Sequence, residues 1–405
     1  MSAAAEKEAK RTALILAAAQ SIIGSAAPIA ISMGGLAGFY LLGADKSLAT
    51  APVTGFNLGT ALGMLPAAAL MRQVGRRYGF MSGAAVTALG GLVAAFALFN
   101  GNFWLFAAGL MLIGAGNAFV QQYRFAATDN APLSFKPRAI SWVMTGGVFA
   151  AIIGPTTVIY TRALFEPVMF AGSFLAVAVI GVVGMFIHSL LRLRNHAVAA
   201  VEDDGLPARP LSAIISQPRF FVALLCAIVS YALMSFVMTG APLAMVGCGL
   251  SADEATLGIQ WHVLAMFGPS FFTGRLIARF GKEAIVATGL LLLLACATVA
   301  LSGLHLWNFW LALILLGLGW NFGFIGATTM VTDTYRRSEK GKIEGVHDFL
   351  LFGTVAAASL LSGKMLTAFG WDALNWVVFP IAGACLLALA MLVMHERRRI
   401  ATAAE

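Results

Sequence analysis

Long apolar runs joined by short polar connections make up most of this chain. At about 1.5 Å of rise per residue, a run of roughly 20 apolar residues reaches across a ~30 Å hydrocarbon layer, and the chain holds about twelve such runs. They predict spans over 12–40, 50–71, 80–99, 103–128, 141–161 and 167–191. A second set follows over 220–245, 255–278, 284–304, 307–332, 345–366 and 371–394. The runs are continuous and rich in Leu, Ala and Gly, whereas barrel strands would alternate over short segments. The expected fold is therefore an all-α polytopic membrane protein. One long polar stretch, 192–217, divides it into two six-helix bundles. The expected organisation is a tail over 1–11, a bundle over 12–191, a linker over 192–217, a bundle over 218–394 and a tail over 395–405.

Composition agrees. The 405 residues are 60% hydrophobic and 11% charged, with a mean hydropathy of +0.87, more apolar surface than a soluble domain of this length could hide. The net charge of +8 does not imply a nucleic-acid partner, because of where the cations sit. Of the 26 Lys and Arg, all but Lys46, Arg124, Arg162 and Lys364 fall at the chain ends or in alternate connections. That bias is the positive-inside signal, and it predicts both termini in the cytoplasm of a bacterium, with the chain in its inner membrane. The first apolar run is too long for a cleaved leader. Cys226, Cys248, Cys296 and Cys385 show no paired spacing, so neither a disulfide framework nor a metal site is expected, and no cofactor is implied.

The two sets of spans repeat. Leu70, Gly75 and Arg76 match Leu276, Gly281 and Lys282 at one constant offset. Asn117, Thr128, Asp129 and Lys136 match Asn321, Thr332, Asp333 and Lys340 at a slightly smaller one. Parallel repeats of this kind place a binding site between the bundles near the bilayer midplane.

These features carry a family resemblance. The connection Ala68-Ala69-Leu70-Met71-Arg72-Gln73-Val74-Gly75-Arg76-Arg77 resembles the loop between the second and third helices of major facilitator transporters, roughly G-x-L-x-D-R-x-G-R-R, and Gly274 to Lys282 is its second copy, with Arg275, Arg279 and Gly281. The chain departs from that pattern where Arg72, and Ala278 in the second copy, stand at the family's Asp position. Gly154-Pro155 in the fifth span is similar to the core of the drug/proton antiporter signature, without the glycines that follow it there. The run Gln121 to Ala127 resembles bacterial members assigned to riboflavin uptake. The resemblance implies the major facilitator fold and transport of a small organic solute by alternating access.

Several residues are candidates for that work. His262, near the middle of the eighth span, is an ionisable group at a depth where one usually serves a water-filled path, and it titrates near neutrality. It is the candidate coupling group for protons; a neutral histidine bonded between helices is the competing reading. Gly268-Pro269 should break the same helix, and Gly154-Pro155 the fifth. Arg124 could clamp an anionic group through its fork, or reach to the interface. Mid-depth polar and aromatic residues should line the cavity: Gln20, Ser25, Asn57, Asn117 and Gln121 from the first bundle, Tyr231, Trp261, Met266, Trp320 and Asn321 from the second.

Gate pairs are expected between Asp129 and Arg76 or Arg77, and between Asp333 and Arg279 or Lys282. The resemblance implies that position 72 lies against the start of the eleventh helix, where the dipole favours negative charge. Glu344 and Asp348 in its first turn should cover that end, so Arg72 should pair with one of them when the cytoplasmic side is closed. The sequence predicts a monomeric transporter of a small organic solute, by uniport or by proton coupling, with His262 as the carrier if protons are coupled. Drug efflux, riboflavin-like import and organic-anion transport stay open. A membrane-embedded enzyme would need a clustered nucleophile, metal site or carboxylate pair, and the sequence offers none.

Overall fold

The computed structural model describes residues 3–129, 131–132, 135–191 and 209–404. Among them the regular structure is helical. The chain begins with α1 (Ala3–Ile22), a 3-10 turn (Ile23–Ser25) and α2 (Ala26–Leu41), which together form span 1. Spans 2 and 3 are the two arms of α3 (Ala51–Phe99). Span 4 is α4 (Phe103–Val120) with α5 (Tyr123–Asp129); spans 5 and 6 are α6 (Lys136–Thr161) and α7 (Ala171–Ser189). After the short α8 (Leu211–Ile215), span 7 is α9 (Pro218–Gly247) and span 8 is α10 (Ala252–Phe267) with α11 (Ser270–Phe280). Spans 9 and 10 are α12 (Lys282–Leu301) and α13 (Leu306–Val331), and α14 (Lys340–Trp376) and α15 (Val378–Ala404) supply spans 11 and 12.

Among the described residues, nine helical runs are long and apolar enough to cross a membrane. Two of them hold two crossings each. Span 8 is cut into pieces individually too short to count, which completes a twelve-span chain.

The turns from span 2 to span 3 and from span 8 to span 9 are made by glycine. Gly75 interrupts α3 at φ 82, ψ 162, and Gly281 separates α11 from α12 at φ 88, ψ 158. Only glycine visits this corner of backbone space freely. The repeat read from the sequence is thus the same hairpin built twice. Helices also approach closely at small residues, the usual way to pack where lipid gives no hydrophobic drive: Gly59 and Gly114 lie against backbone of spans 4 and 2, and Gly289 against Gly323 of span 10.

The expected span ends shift in places. Span 1 starts nearer the N-terminus, at Ala3, and spans 5 and 11 start at Lys136 and Lys340 rather than 141 and 345. Helices continue through polar flanks once the backbone is set, so a hydropathy edge undershoots the helix edge. Span 12 likewise runs on past 394. Gly154-Pro155 does not break span 5, whose helix is continuous. Gly154 instead admits Pro28 and the Ser25 carbonyl of span 1 at close range. Gly268-Pro269 does separate α10 from α11, as expected. Most of the expected linker, 192–208, lies outside the described residues.

Buried apolar residues form one cluster across the last six spans, centred on Phe220, Met245, Leu293 and Phe309. Two more lie in the first six, around Phe80 and Tyr123 on the side of the termini and around Phe106 and Phe174 on the opposite, far side.

Candidate functional site

On the far side the first and last six spans touch. Arg162 closes span 5 and Asp253 opens span 8; the guanidinium donates from Nε and Nη2 to both carboxylate oxygens at 2.7 and 2.9 Å. Ser251 and Glu254 form a capping box that fixes the start of that helix. Thr54 and Ser359 share a hydroxyl hydrogen bond at 3.0 Å, and Gly363 lies directly against Thr50. Nothing in the sequence signals the Arg162–Asp253 pair: its partners are far apart in the chain and each reads as an ordinary loop charge.

Beneath this seal lies a central cavity of about 220 Å³. Its mouth faces the side of the termini, where Arg124 on the wall is exposed and Asp348 keeps 45% of its side-chain surface. Gln20, Asn57, Asn117, Gln121, Arg124, Tyr231, Met266 and Trp320 line it, so most of the predicted wall residues come together. The first six spans give the amides, Gln20, Asn57, Asn117 and Gln121, among largely small and aliphatic residues. The last six give rings: Tyr231 lies 5.4 Å from Trp320, 5.1 Å from Phe324 and 5.7 Å from Phe352, and Trp320 stacks on Phe324 at 5.3 Å with planes 20° apart. Phe324 and Phe352 had no signal in the sequence beyond being apolar in an apolar run. Two buried polar atoms on this wall, Trp320 Nε1 and Ser235 Oγ, have no hydrogen-bond partner among the described residues. Such atoms are costly unless something else satisfies them.

The other wall candidates sit elsewhere. Ser25 is buried and donates to the Ile22 carbonyl. Trp261 is 42% exposed and does not line the cavity. His262 is fully buried between spans 8 and 10, with Nδ1 2.8 Å from the Leu313 carbonyl, and is also absent from the wall. Asn321 staples the broken helix: its amide donates to the Met266 carbonyl and Ser270 Oγ at 2.6 and 2.8 Å and accepts from Thr273 at 2.6 Å. A residue next to a helix break is drawn to the backbone groups freed there, and that geometry takes Asn321 out of the wall.

The loop charges pair largely by repeat. Arg76 donates to both oxygens of Asp129 at 2.9 and 3.4 Å, and Lys282 reaches Asp333 at 2.5 Å. Arg219 joins the second pair and gathers Glu283, Asp333 and Glu396 at 2.6, 3.3 and 2.8 Å. Arg77 and Arg279 lie over the rings of Tyr78 and Phe280 instead of pairing with the aspartates, and Gly274 and Arg275 are exposed. Arg72 is exposed. Glu344 accepts from Tyr335 Oη at 2.9 Å and Asp348 contacts His347 Nδ1 at 3.0 Å. Because span 11 begins at Lys340, Asp348 lies two turns inside it rather than in its first turn, and faces the cavity. Behind the loops, Arg209 holds Glu339 at 2.8 Å and pulls its carboxyl down to about 2.

Comparison with known proteins settles the family. The Major Facilitator Superfamily model matches residues 12–349 and 263–404. The chain belongs to this superfamily. It is a multi-pass membrane transporter with the twelve-helix major facilitator fold. Among its relatives is the riboflavin transporter RfnT of Brucella anthropi, 52% identical over 95% of this chain and 96% of that protein. The uncharacterized MFS-type transporter YdeG of Bacillus subtilis is 30% identical over 96% and 93%. The multidrug resistance protein MdtL of Escherichia coli is 26% identical over 44% and 47%. Relatives of this kind point away from enzyme activity.

Proposed function

We propose that this protein imports riboflavin, or a flavin of closely similar shape, across a bacterial inner membrane by alternating access. The observation that carries the reading is the wall formed by Tyr231, Trp320, Phe324 and Phe352 opposite Gln20, Asn57, Asn117 and Gln121. A flat heteroaromatic ring with a polyol tail suits such a chamber: its faces stack on the rings and its tail meets the amides. The Trp320 N–H and the Ser235 hydroxyl, unpartnered among the described residues, suit the oxygen and nitrogen atoms along one edge of the flavin ring. The riboflavin transporter named above supports the same choice. The basic connections support a cytoplasmic side for the termini and the cavity mouth, which would leave the Arg162–Asp253 seal on the outside. Among the described residues, Arg124, Tyr231 and Asp348 are the ionisable groups on the wall. A proton-coupled cycle would therefore run through Asp348 rather than His262.

The test is growth and labelled-riboflavin uptake in a bacterium unable to make or import riboflavin. Expression of the protein should restore both, and Trp320→Leu should lower uptake without lowering the amount of protein in the membrane. Well-expressed protein that restores neither would overturn the reading.

A further inference from the structure

Two opposite charges share the mouth of the cavity. Arg124 reaches it from span 4 and Asp348 from span 11, so one comes from each set of six spans. No direct ion pair joins them among the described residues, but both line the one cavity, and Glu344 stands one helical turn before Asp348 on span 11. Asp348 is turned to His347 and Glu344 to Tyr335. An isolated arginine on the wall would invite a phosphate or carboxylate. Here a carboxylate shares the wall with that guanidinium, and a second lies one turn away on the same helix.

We infer that Asp348, backed by Glu344, offsets the charge of Arg124 so that the cavity accepts an uncharged solute and rejects its phosphorylated form. This rests on the flavin reading above and deepens it by fixing the charge class of the substrate. A phosphate monoester brings about 1.5 to 2 negative charges at neutral pH. Brought to the mouth, it meets Arg124 together with two like charges, and it loses hydration in a narrow channel. Free riboflavin carries no charge and faces none of this. The carboxylate is thus a specificity determinant, and a simple reading of Arg124 as an anion clamp fails because it leaves out the opposing wall.

The experiment uses the full-length protein purified in detergent, with riboflavin and riboflavin 5′-phosphate as probes. The two share the same fluorescent ring, so quenching reports both affinities on one scale. The unaltered protein should prefer riboflavin by at least about tenfold, the effect expected of one like charge several ångströms away at an effective dielectric of ~20. Asp348→Asn should narrow that ratio by roughly tenfold, and Arg124→Gln should widen it. Opposite movement in the two variants cannot come from general loss of structure, which would weaken both probes alike. An unchanged ratio in Asp348→Asn, or movement in the same direction in both variants, would overturn this inference and leave the flavin reading standing. If the unaltered protein bound neither probe, both would fall.

Discussion

Breaking the far-side seal should open the transporter toward that side, by an amount the structure lets us set. Arg162 and Asp253 make two parallel charge-assisted bonds, a geometry worth up to ~3 kcal/mol when shielded from water. Their side chains keep 22% and 39% of their surface, which brings the expected net effect to about 1 kcal/mol. That is roughly a fivefold change in the ratio of sealed to open forms. The readout is a thiol at position 50, where Thr50 is fully buried against Gly363. The background carries Cys248→Ser to remove the one exposed native thiol, since Cys226, Cys296 and Cys385 are buried. In purified protein carrying Thr50→Cys, maleimide labelling should run about fivefold faster with Arg162→Ala or Asp253→Asn. The double variant should match the singles, because the two substitutions remove one shared interaction. Labelling rates that do not move in either single variant would refute the role assigned to the pair.

Three further outcomes follow from the same geometry. Gly281→Ala should cost about 1–3 kcal/mol through backbone strain alone, since the nearest atom to the added methyl would be Glu283 Oε2 at 3.7 Å; a lowered apparent melting point in detergent checks it. Glu339 sits near 2 against an ordinary 4.5, so the folded form holds its proton less tightly than the unfolded chain. Its stabilising effect is complete above about 4.5 and is lost as pH falls toward 2; melting of the unaltered protein and Glu339→Gln across that window should converge at the acid end. His262→Gln should lower thermal stability by removing the bond to Leu313, and should leave the pH profile of uptake unchanged, as a loss of pH dependence would restore the coupling role.

The apolar runs made the twelve crossings and the all-helical fold legible, because span length is dictated by membrane thickness. The repeated glycines and ion pairs were legible too: Gly75, Arg76 and Asp129 recur as Gly281, Lys282 and Asp333, in the same geometry. Facing was not. In an all-apolar helix no polar stripe marks the inner surface, so Trp261 could not be told from Trp320, although one is partly exposed off the wall and the other faces the cavity. His262 and Asn321 looked alike as mid-membrane polar groups, and both turned out to bond to backbone carbonyls of neighbouring spans. Asp348 is visible in the sequence as a charge, but hydropathy puts it at a helix start, because Gly345 and the lysines before it read as loop.

The ring cluster of Tyr231, Trp320, Phe324 and Phe352 belongs to the last six spans and packs together as a single block. A flat guest resting on them would travel with that block as the protein turns over, its stacked face undisturbed from entry to release. What changes hands is the opposite edge, where the amides of the first six spans arrive and depart. Grip and release would thus be divided between different parts of the cargo, and tail chemistry would govern turnover while ring chemistry governed retention.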